Sequence, residues 1–512
     1  LRDRILAGQF GAGDTLDVYY AAFRIPDLIY NLLILGALSA GFIPVITSLI
    51  KDYQCEQKKG SANLEAWQLA SNTLNSLVVF IGILSVLGFI FSTDLTRLIA
   101  PGFSPAKQDL VSGLTKIMFL SPLFLGASSI IGGILQSFKR FFVYSLSPIF
   151  YNLGIIFGAI YLVPLWGIYG LAWGVVIGAF LHLTIQIPAA LKLGYRYRLI
   201  LNFKDHNLRK IGMMMVPRTL SLAVNQINFI VITIIASSLA SGSLAVFNLA
   251  NNLQSFPIGI FGLSFAVAAF PALSIVAFDK QKLVENFSTV FRQILFFVIP
   301  ATVLLLTLRA QIVRVILGTG EFDWEDTILT INTLGYFSIS LFAQACIPLL
   351  VRVFYARHNS RTPFYIGLAC VIINVFLSLS LNKSLGIAGL ALAFSIANIL
   401  NFILLWFILK MEIGEMDEIR ILYSVIKFSL AALACGITVQ FAKVIIWPFI
   451  DMTRLWGVLT QGFVSGTLGI IAYFIFCYLL RSEELFNFGE SIKRRLSWKK
   501  VDSIDQGEAR GI

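Results

Sequence analysis

Fourteen apolar stretches recur along the chain, most of them long enough to cross a bilayer. They run over roughly 1–9, 15–50, 66–92, 109–137, 142–163, 167–191, 208–240, 244–277, 284–308, 328–356, 362–381, 385–410, 420–448 and 453–480. About 20 apolar residues suffice for a helix to span the hydrocarbon layer. Inside it, unpaired backbone groups are so costly that helices or closed barrels are the only solutions. Helical length and the absence of strand-like alternation select helices, and a mean hydropathy of +0.83 excludes a soluble globular class. The expected fold is an all-α polytopic membrane protein with about 14 transmembrane helices. The chain opens on Leu1 within LRDRILAGQ, read here as the second half of a truncated first span, and no signal peptide is expected.

A net charge of +12 raises the question of nucleic acid, and its distribution answers it. The basic residues gather in alternate connections: Lys51, Lys58 and Lys59; Lys139 and Arg140; Lys192 to Lys210; Lys280 and Lys282; Arg357 and Arg361; Lys410 and Arg420; and the tail from Lys493. The intervening connections are neutral or acidic, as at Glu321, Asp323, Glu325 and Asp326. By the positive-inside rule the basic set is cytoplasmic, as are both termini. The charge therefore belongs to membrane topology, and no nucleic-acid partner is expected.

The stretch Gly13–Lys51 is the exception among the spans, because Asp17, Arg24 and Asp27 precede its apolar half. Steps of seven and three put these residues on one broad helical face. Charges at membrane depth face a protein interior or a watery path. Pro26 and Pro44 are expected to bend the helix and free carbonyls that need partners. Arg2 and Asp3 lie across a short turn from this face, and a hairpin brings the two groups together. Two readings stand: a guanidinium site for a phosphate-bearing substrate, or internal Arg–Asp pairs holding the first helices.

Two halves of the chain resemble each other. LDVYYAA (16–22) matches LAVFNLA (244–250), FIPVI (42–46) matches AFPAL (269–273), and GIYGLAW (167–173) matches GIAGLAL (386–392). The offset of about 219–228 residues covers six spans, an even number, so both copies enter the membrane with one orientation. The expected organisation is an N-lobe (1–191), a linker (192–207), a C-lobe (208–410), two added helices (411–480) and a basic tail (481–512), with a central cavity between the lobes. Leu485, Phe488, Ile492 and Leu496 lie at helical spacing beside basic residues, so the tail is expected on the cytoplasmic membrane surface. Glycines at 167, 170, 174, 178, 386 and 389 are read as close-packing positions. Where Asp17 and Arg24 stand in the first half, Ala245 and Asn252 stand in the second. Arg218, beside Pro217, is a candidate second-lobe contact or a snorkelling residue, and Arg292 and Arg352 are read as similar end-of-span cases. No catalytic or nucleotide-binding motif is present, no metal or cofactor set is expected, and the five cysteines read as small buried residues.

RDRILAGQFGAGDTLDVYYAAFRIPDL, GALSAGFIPV, APGF (100–103), VPRTLSLAVNQIN, LGTGEFD and FYARHNSRTP occur in an order that resembles the MurJ/MviN family, within the multidrug/oligosaccharidyl-lipid/polysaccharide exporter superfamily. The resemblance implies a flippase, not an enzyme, in the bacterial cytoplasmic membrane. Its substrate would be lipid II, an undecaprenyl-pyrophosphate carrying a disaccharide-pentapeptide. The two added helices would form a groove for the lipid tail, and the peptidoglycan synthesis machinery would be a partner. Carried over residue by residue, Arg2 and Arg24 would hold the pyrophosphate with Arg218, and Asp3 and Asp17 would orient those arginines and add gating pairs. Asp27 is a further candidate for that work. The chain departs from the family pattern at Tyr30 and Asn31, where an Arg–Arg pair is common, at Leu35, where Glu is common, and at Asn252, where a cavity arginine is expected. Another polyprenyl-linked glycan exporter, a drug or cation antiporter, and a non-transporting envelope scaffold are the alternatives.

Overall fold

A computed structural model describes the backbone of residues 1–35, 41–56 and 61–496, with the side chains of 33–35, 51–56, 61–64, 216–218, 220–222 and 491–496 left aside. Within the described residues the regular structure is helical throughout, as a hydrocarbon solvent demands. The first half comprises Arg2–Phe10 (α1), Asp14–Ile29 (α2), Ile43–Glu56 (α3), Ser61–Ile90 (α4), Ser92–Ile99 (α5), Pro105–Met118 (α6), Ser121–Ser137 (α7) and Phe141–Phe157 (α8). Val163–Trp166 (α9), Tyr169–Thr184 (α10), Ile187–Lys192 (α11) and His206–Ser237 (α12) follow. The second half comprises Ser243–Pro257 (α13), Ser264–Ile275 (α14), Lys280–Thr307 (α15), Arg309–Ile316 (α16), Trp324–Ser338 (α17) and Leu341–Ala356 (α18). It ends with Arg361–Leu385 (α19), Ile387–Ile413 (α20), Glu418–Ile446 (α21), Leu455–Leu479 (α22) and Glu483–Leu496 (α23).

Within the described residues, the apolar stretches of the sequence fall on these helices, singly or in broken runs. Among the described residues, ten helical segments are long and apolar enough to cross a membrane, and α17 with α18, bent by 46°, makes an eleventh.

The chain forms two compact units. One comprises Leu1–Asn248 with Leu317–Asp326; the other comprises Leu249–Ile316 with the chain from Thr327 onward. The first unit is centred on a core in which Phe42, Ile46, Ile81, Ile130, Ile134 and Leu135 are wholly buried. Glycine makes its closest helix pair. A Cβ on Gly154 would strike Gly178, and one on Gly174 would come within 2.8 Å of the Gly158 Cα, so α8 and α10 meet backbone to backbone.

Two of the expected packing glycines do something else. Gly167 and Gly386 have φ of +59° and +56° with nothing within 4 Å of a Cβ, so they serve the turn before α10 and α20. Three residues on, Gly170 packs on the backbone of Leu162 and Val163, and Gly389 on that of Leu381 and Asn382. The same offsets, eight and seven residues back, recur in the two units, so the sequence repeat is a structural repeat. π-Helical turns repeat too, at Tyr30–Leu35 after α2 and Ile258–Leu263 after α13.

The linker is tied to α4. Asn75 donates to the carbonyls of Arg198 (3.1 Å) and Ile200 (2.8 Å) and accepts from the Tyr197 hydroxyl (2.8 Å). Asn72 both donates to and accepts from the Asn202 backbone, at 3.0 and 2.8 Å. These amides give an extended segment the partners that a helix finds within itself. Asn75→Ala is expected to lower stability by about 1–1.5 kcal/mol, because the tie between α4 and the linker loses its hydrogen bonds to Tyr197, Arg198 and Ile200. A detergent-solubilised thermal melt reads the change; an unaltered midpoint refutes the tie.

In the second unit Arg292 is buried and paired rather than snorkelling. It is 3% exposed and pairs closely with Glu484 of α23, which also accepts from Ser424 and Ser482, each at 2.9 Å. The span ends beside a second acid, Glu483, which Arg420 meets at 2.8 Å and holds below the usual carboxylate range. Phe488 of α23 packs on Phe297, ring centroids 5.2 Å apart. The first turns of the tail helix are therefore clamped to α15 and α21.

Candidate functional site

Pro26 lacks an N–H, so the carbonyl of Ala22 loses its helical partner. The Thr115 hydroxyl lies 3.3 Å from that oxygen. The π turn Tyr30–Leu35 begins four residues after the proline, and the Asn31 amide donates to the Asp27 carbonyl at 2.9 Å. Asn31 therefore works on the backbone of its own break. α2 is buried over most of its circumference, and Leu16, Asp17, Tyr19, Tyr20 and Ala21 all lie inside.

Arg24 is held by neutral groups. Its Nε donates to the Thr233 hydroxyl at 2.7 Å and its Nη2 to the Asn248 amide oxygen at 2.9 Å, with the guanidinium 5.5 Å from the Phe229 ring centroid. Both acceptors are pre-aimed: Thr233 spends its own proton on the Phe229 carbonyl, and Asn248 spends its NH₂ on that of Leu244. A guanidinium has five N–H donors. These two bonds leave three for a ligand.

Arg2 meets the Asp3 carboxylate through Nε (2.9 Å) and Nη2 (2.8 Å), in a pair that is 30% and 23% exposed. Asp27 lies within electrostatic reach of both Arg24 and Arg2, and Tyr20 within reach of Arg2, Asp3 and Arg24. The Tyr20 hydroxyl is buried with no hydrogen-bond partner, an uncommon condition for a buried donor. The hairpin thus gathers Arg2, Asp3, Tyr20, Arg24 and Asp27. Two guanidinium groups and two carboxylates leave the set near neutral, so it would recruit an anion by donor geometry and by displacing Asp3 rather than by surplus charge.

Asp17 does not join this set. It is 2% exposed and accepts from the backbone N–H of Gly242 and of Ala245, both at 2.9 Å, and from Lys107 at 3.1 Å. It caps the start of α13, where the helix dipole favours an anion, and one of its two amides belongs to its own counterpart in the repeat. The expectation that Asp17 orients the arginines is corrected: its carboxylate is fully engaged one end-turn away. Lys107 also bonds Asp14 at 2.6 Å and lies 4.0 Å from the Phe103 ring centroid. Beside this tie, the Ala12 amide donates to Asp326 (2.8 Å), the Glu321 amide to the Gly8 carbonyl (2.9 Å) and the Gly102 amide to Ser237 (3.1 Å). Sequence reasoning missed Lys107. The signal was present in the repeat, where Ser104 and Asp323 cap α6 and α17 at matching positions and Lys107 matches Asp326.

The side chain of Arg218 lies outside the described residues. Asn252 is half-buried in the second unit.

A membrane-length helical array, repeated in sequence and structure, with paired arginines and acids at the head of its second helix, defines a polytopic transporter of duplicated architecture. The family model for the lipid II flippase MurJ matches residues 6–460. The chain belongs to the lipid II flippase MurJ family. A probable lipid II flippase MurJ of Buchnera aphidicola subsp. Schizaphis graminum is 33% identical over 419 residues, 79% of this chain and 78% of the relative. Its counterpart in Thermotoga maritima is 27% identical over 505 residues, 97% and 95% of the two chains. Among solved structures, a lipid II flippase MurJ in an inward closed conformation superposes with a TM-score of 0.74 at 25% identity, covering 94% of this chain and 95% of that one. An inward-facing multidrug resistance MATE family transporter of the MOP superfamily, at 15% identity and a TM-score of 0.66 over 81% of this chain and 94% of that one, shares the fold. The chain is a multi-pass membrane protein of a bacterial transporter family.

Proposed function

We propose that this chain translocates lipid II from the inner to the outer leaflet of the cytoplasmic membrane by alternating access, with both termini cytoplasmic. The donor set around Arg24 carries the reading. Three unfilled guanidinium N–H groups, the Arg2 fork and an orphan phenol converge near α2 in a form suited to a diphosphate, whose oxygens accept forked hydrogen bonds. Arg24 and Arg2 bind, Asp3 and Asp27 hold the forks until the phosphate displaces them, and Arg218 adds a contact from α12. Asp17 with Lys107 acts as a gating tie at the outer end, a role that their 3.1 Å contact supports.

The test is transport by the purified chain in liposomes loaded asymmetrically with fluorescent lipid II. The expected result is chain-dependent exchange between leaflets and rescue of a flippase-depleted bacterium. Uptake of an organic cation without lipid exchange would replace this reading by drug antiport. Rescue that survives neutralising both arginines would replace it by a scaffold.

A further inference from the structure

The second unit carries a cation pair for which the transport reading has no use. At the end of α15 remote from Lys280, Lys443 of α21 donates to the Thr307 carbonyl at 3.0 Å. Arg309, at the start of α16, lies within electrostatic reach of Lys443. Neither forms an ion pair with a carboxylate among the described residues. The Arg309 guanidinium instead lies against bare backbone, since a Cβ on Gly335 would come within 2.5 Å of its Nη1. Beneath the pair, Gln461 donates to the Lys443 carbonyl (3.1 Å) and accepts from Gln311 (2.8 Å), and the buried Gln311 Oε1 has no partner. Two adjacent cations, half-buried and without an acid, repel each other unless an anion lies between them.

Their depth tells what the anion is attached to. Trp447, one turn beyond Lys443, is 61% exposed, Phe449 83% and Trp456 73%, an aromatic cluster of the kind that sits at headgroup level. The orientation proposed above, on which this placement rests, puts that level at the outer leaflet.

We infer that Arg309 and Lys443 form a binding site for the phosphate of an outer-leaflet lipid, distinct from the Arg24 set in the other unit. The fork of Arg309 grips the phosphate and Lys443 supplies a point charge, while the Gln461–Gln311 pair props the lysine from below.

Native mass spectrometry of the detergent-solubilised chain tests this with three probes: phosphatidylglycerol, a polyprenyl diphosphate, and neutral diacylglycerol. The expected result is that Arg309→Gln with Lys443→Gln weakens at least one phosphate-bearing lipid about tenfold and leaves diacylglycerol unchanged. The preferred phosphate lipid then shows whether the site takes a bulk lipid or a transported one. The exchange Arg309→Lys with Lys443→Arg keeps both charges and is expected to restore binding. Gly335→Ala, which pushes Arg309 aside without removing charge, is expected to give a partial loss. Equal binding by wild type and the double Gln variant overturns the site. Equal loss of all three probes assigns the pair a structural role only. Competition by inorganic diphosphate at the same concentration as the lipid overturns the lipid assignment. Because the readout is binding, failure here leaves the transport test untouched.

Discussion

Arg24→Gln lowers lipid II translocation roughly a hundredfold while the protein still folds and inserts. Glutamine retains a polar contact with Thr233 or Asn248 but loses the three donors that point away from them. A hydrogen bond to a charged group contributes about 1.5–3 kcal/mol, so losing the fork costs roughly a hundredfold in translocation even if one contact is remade. Arg24→Lys restores the charge but cannot span Thr233 and Asn248 together, so it is expected to recover about a tenth of the wild-type rate. Arg2→Ala tests the same set from a partly exposed position where folding is not at stake, and it is expected to abolish rescue of a flippase-depleted strain. Leaflet exchange of labelled lipid II in liposomes reads each variant, with melting profiles as the control. Wild-type exchange by both Arg24→Gln and Arg2→Ala would remove the phosphate site.

Asp17→Asn releases the outer tie. The native carboxylate is buried and satisfies two backbone amides and Lys107; the amide that replaces it offers one acceptor, and its NH₂ faces cations and donors. Breaking a buried ion pair from one side costs about 3–5 kcal/mol. The start of α13 therefore loses its cap and Lys107 keeps only the more exposed Asp14. In a variant lacking native cysteines, Ala245→Cys gives a fully buried reporter directly behind the tie. Its labelling by a membrane-impermeant thiol reagent is expected to accelerate about a hundredfold when Asp17 becomes Asn. Lys107→Ala is expected to act in the same direction and more weakly, because the two amide bonds survive. An unchanged labelling rate in Asp17→Asn would show that the tie does not hold the outer end closed.

The contrast between these residues shows what the sequence could convey. Spans and repeat were legible because bilayer thickness and duplication leave periodic, local traces, and within the described residues the apolar stretches lie on helices. Arg24 and Arg2 were legible as charges out of place. Their partners were not, since Thr233 and Asn248 are 209 and 224 residues away from Arg24 and unremarkable in composition. Asp17 was visible as a charge but not as a cap, because its acceptor geometry is set by where α13 begins. Lys107 sat at a helix start in a connection that looked merely polar. Gly167 and Gly386 read as packing positions because a small residue looks the same whether it makes room for a neighbour or for a turn.

The π turns at Tyr30–Leu35 and Ile258–Leu263 have a mechanical meaning. A π turn stores one surplus residue in an otherwise α-helical rod. Passing that residue along the rod shifts the stretch it crosses by about 1.5 Å and turns it by about 100°. The head of α2, pinned at Asp17 and Arg24, can stay in place while the stretch that the surplus residue crosses slides and rolls. Each half of the molecule thus carries a built-in slip joint, and in the first half it lies just past the residues that pin α2.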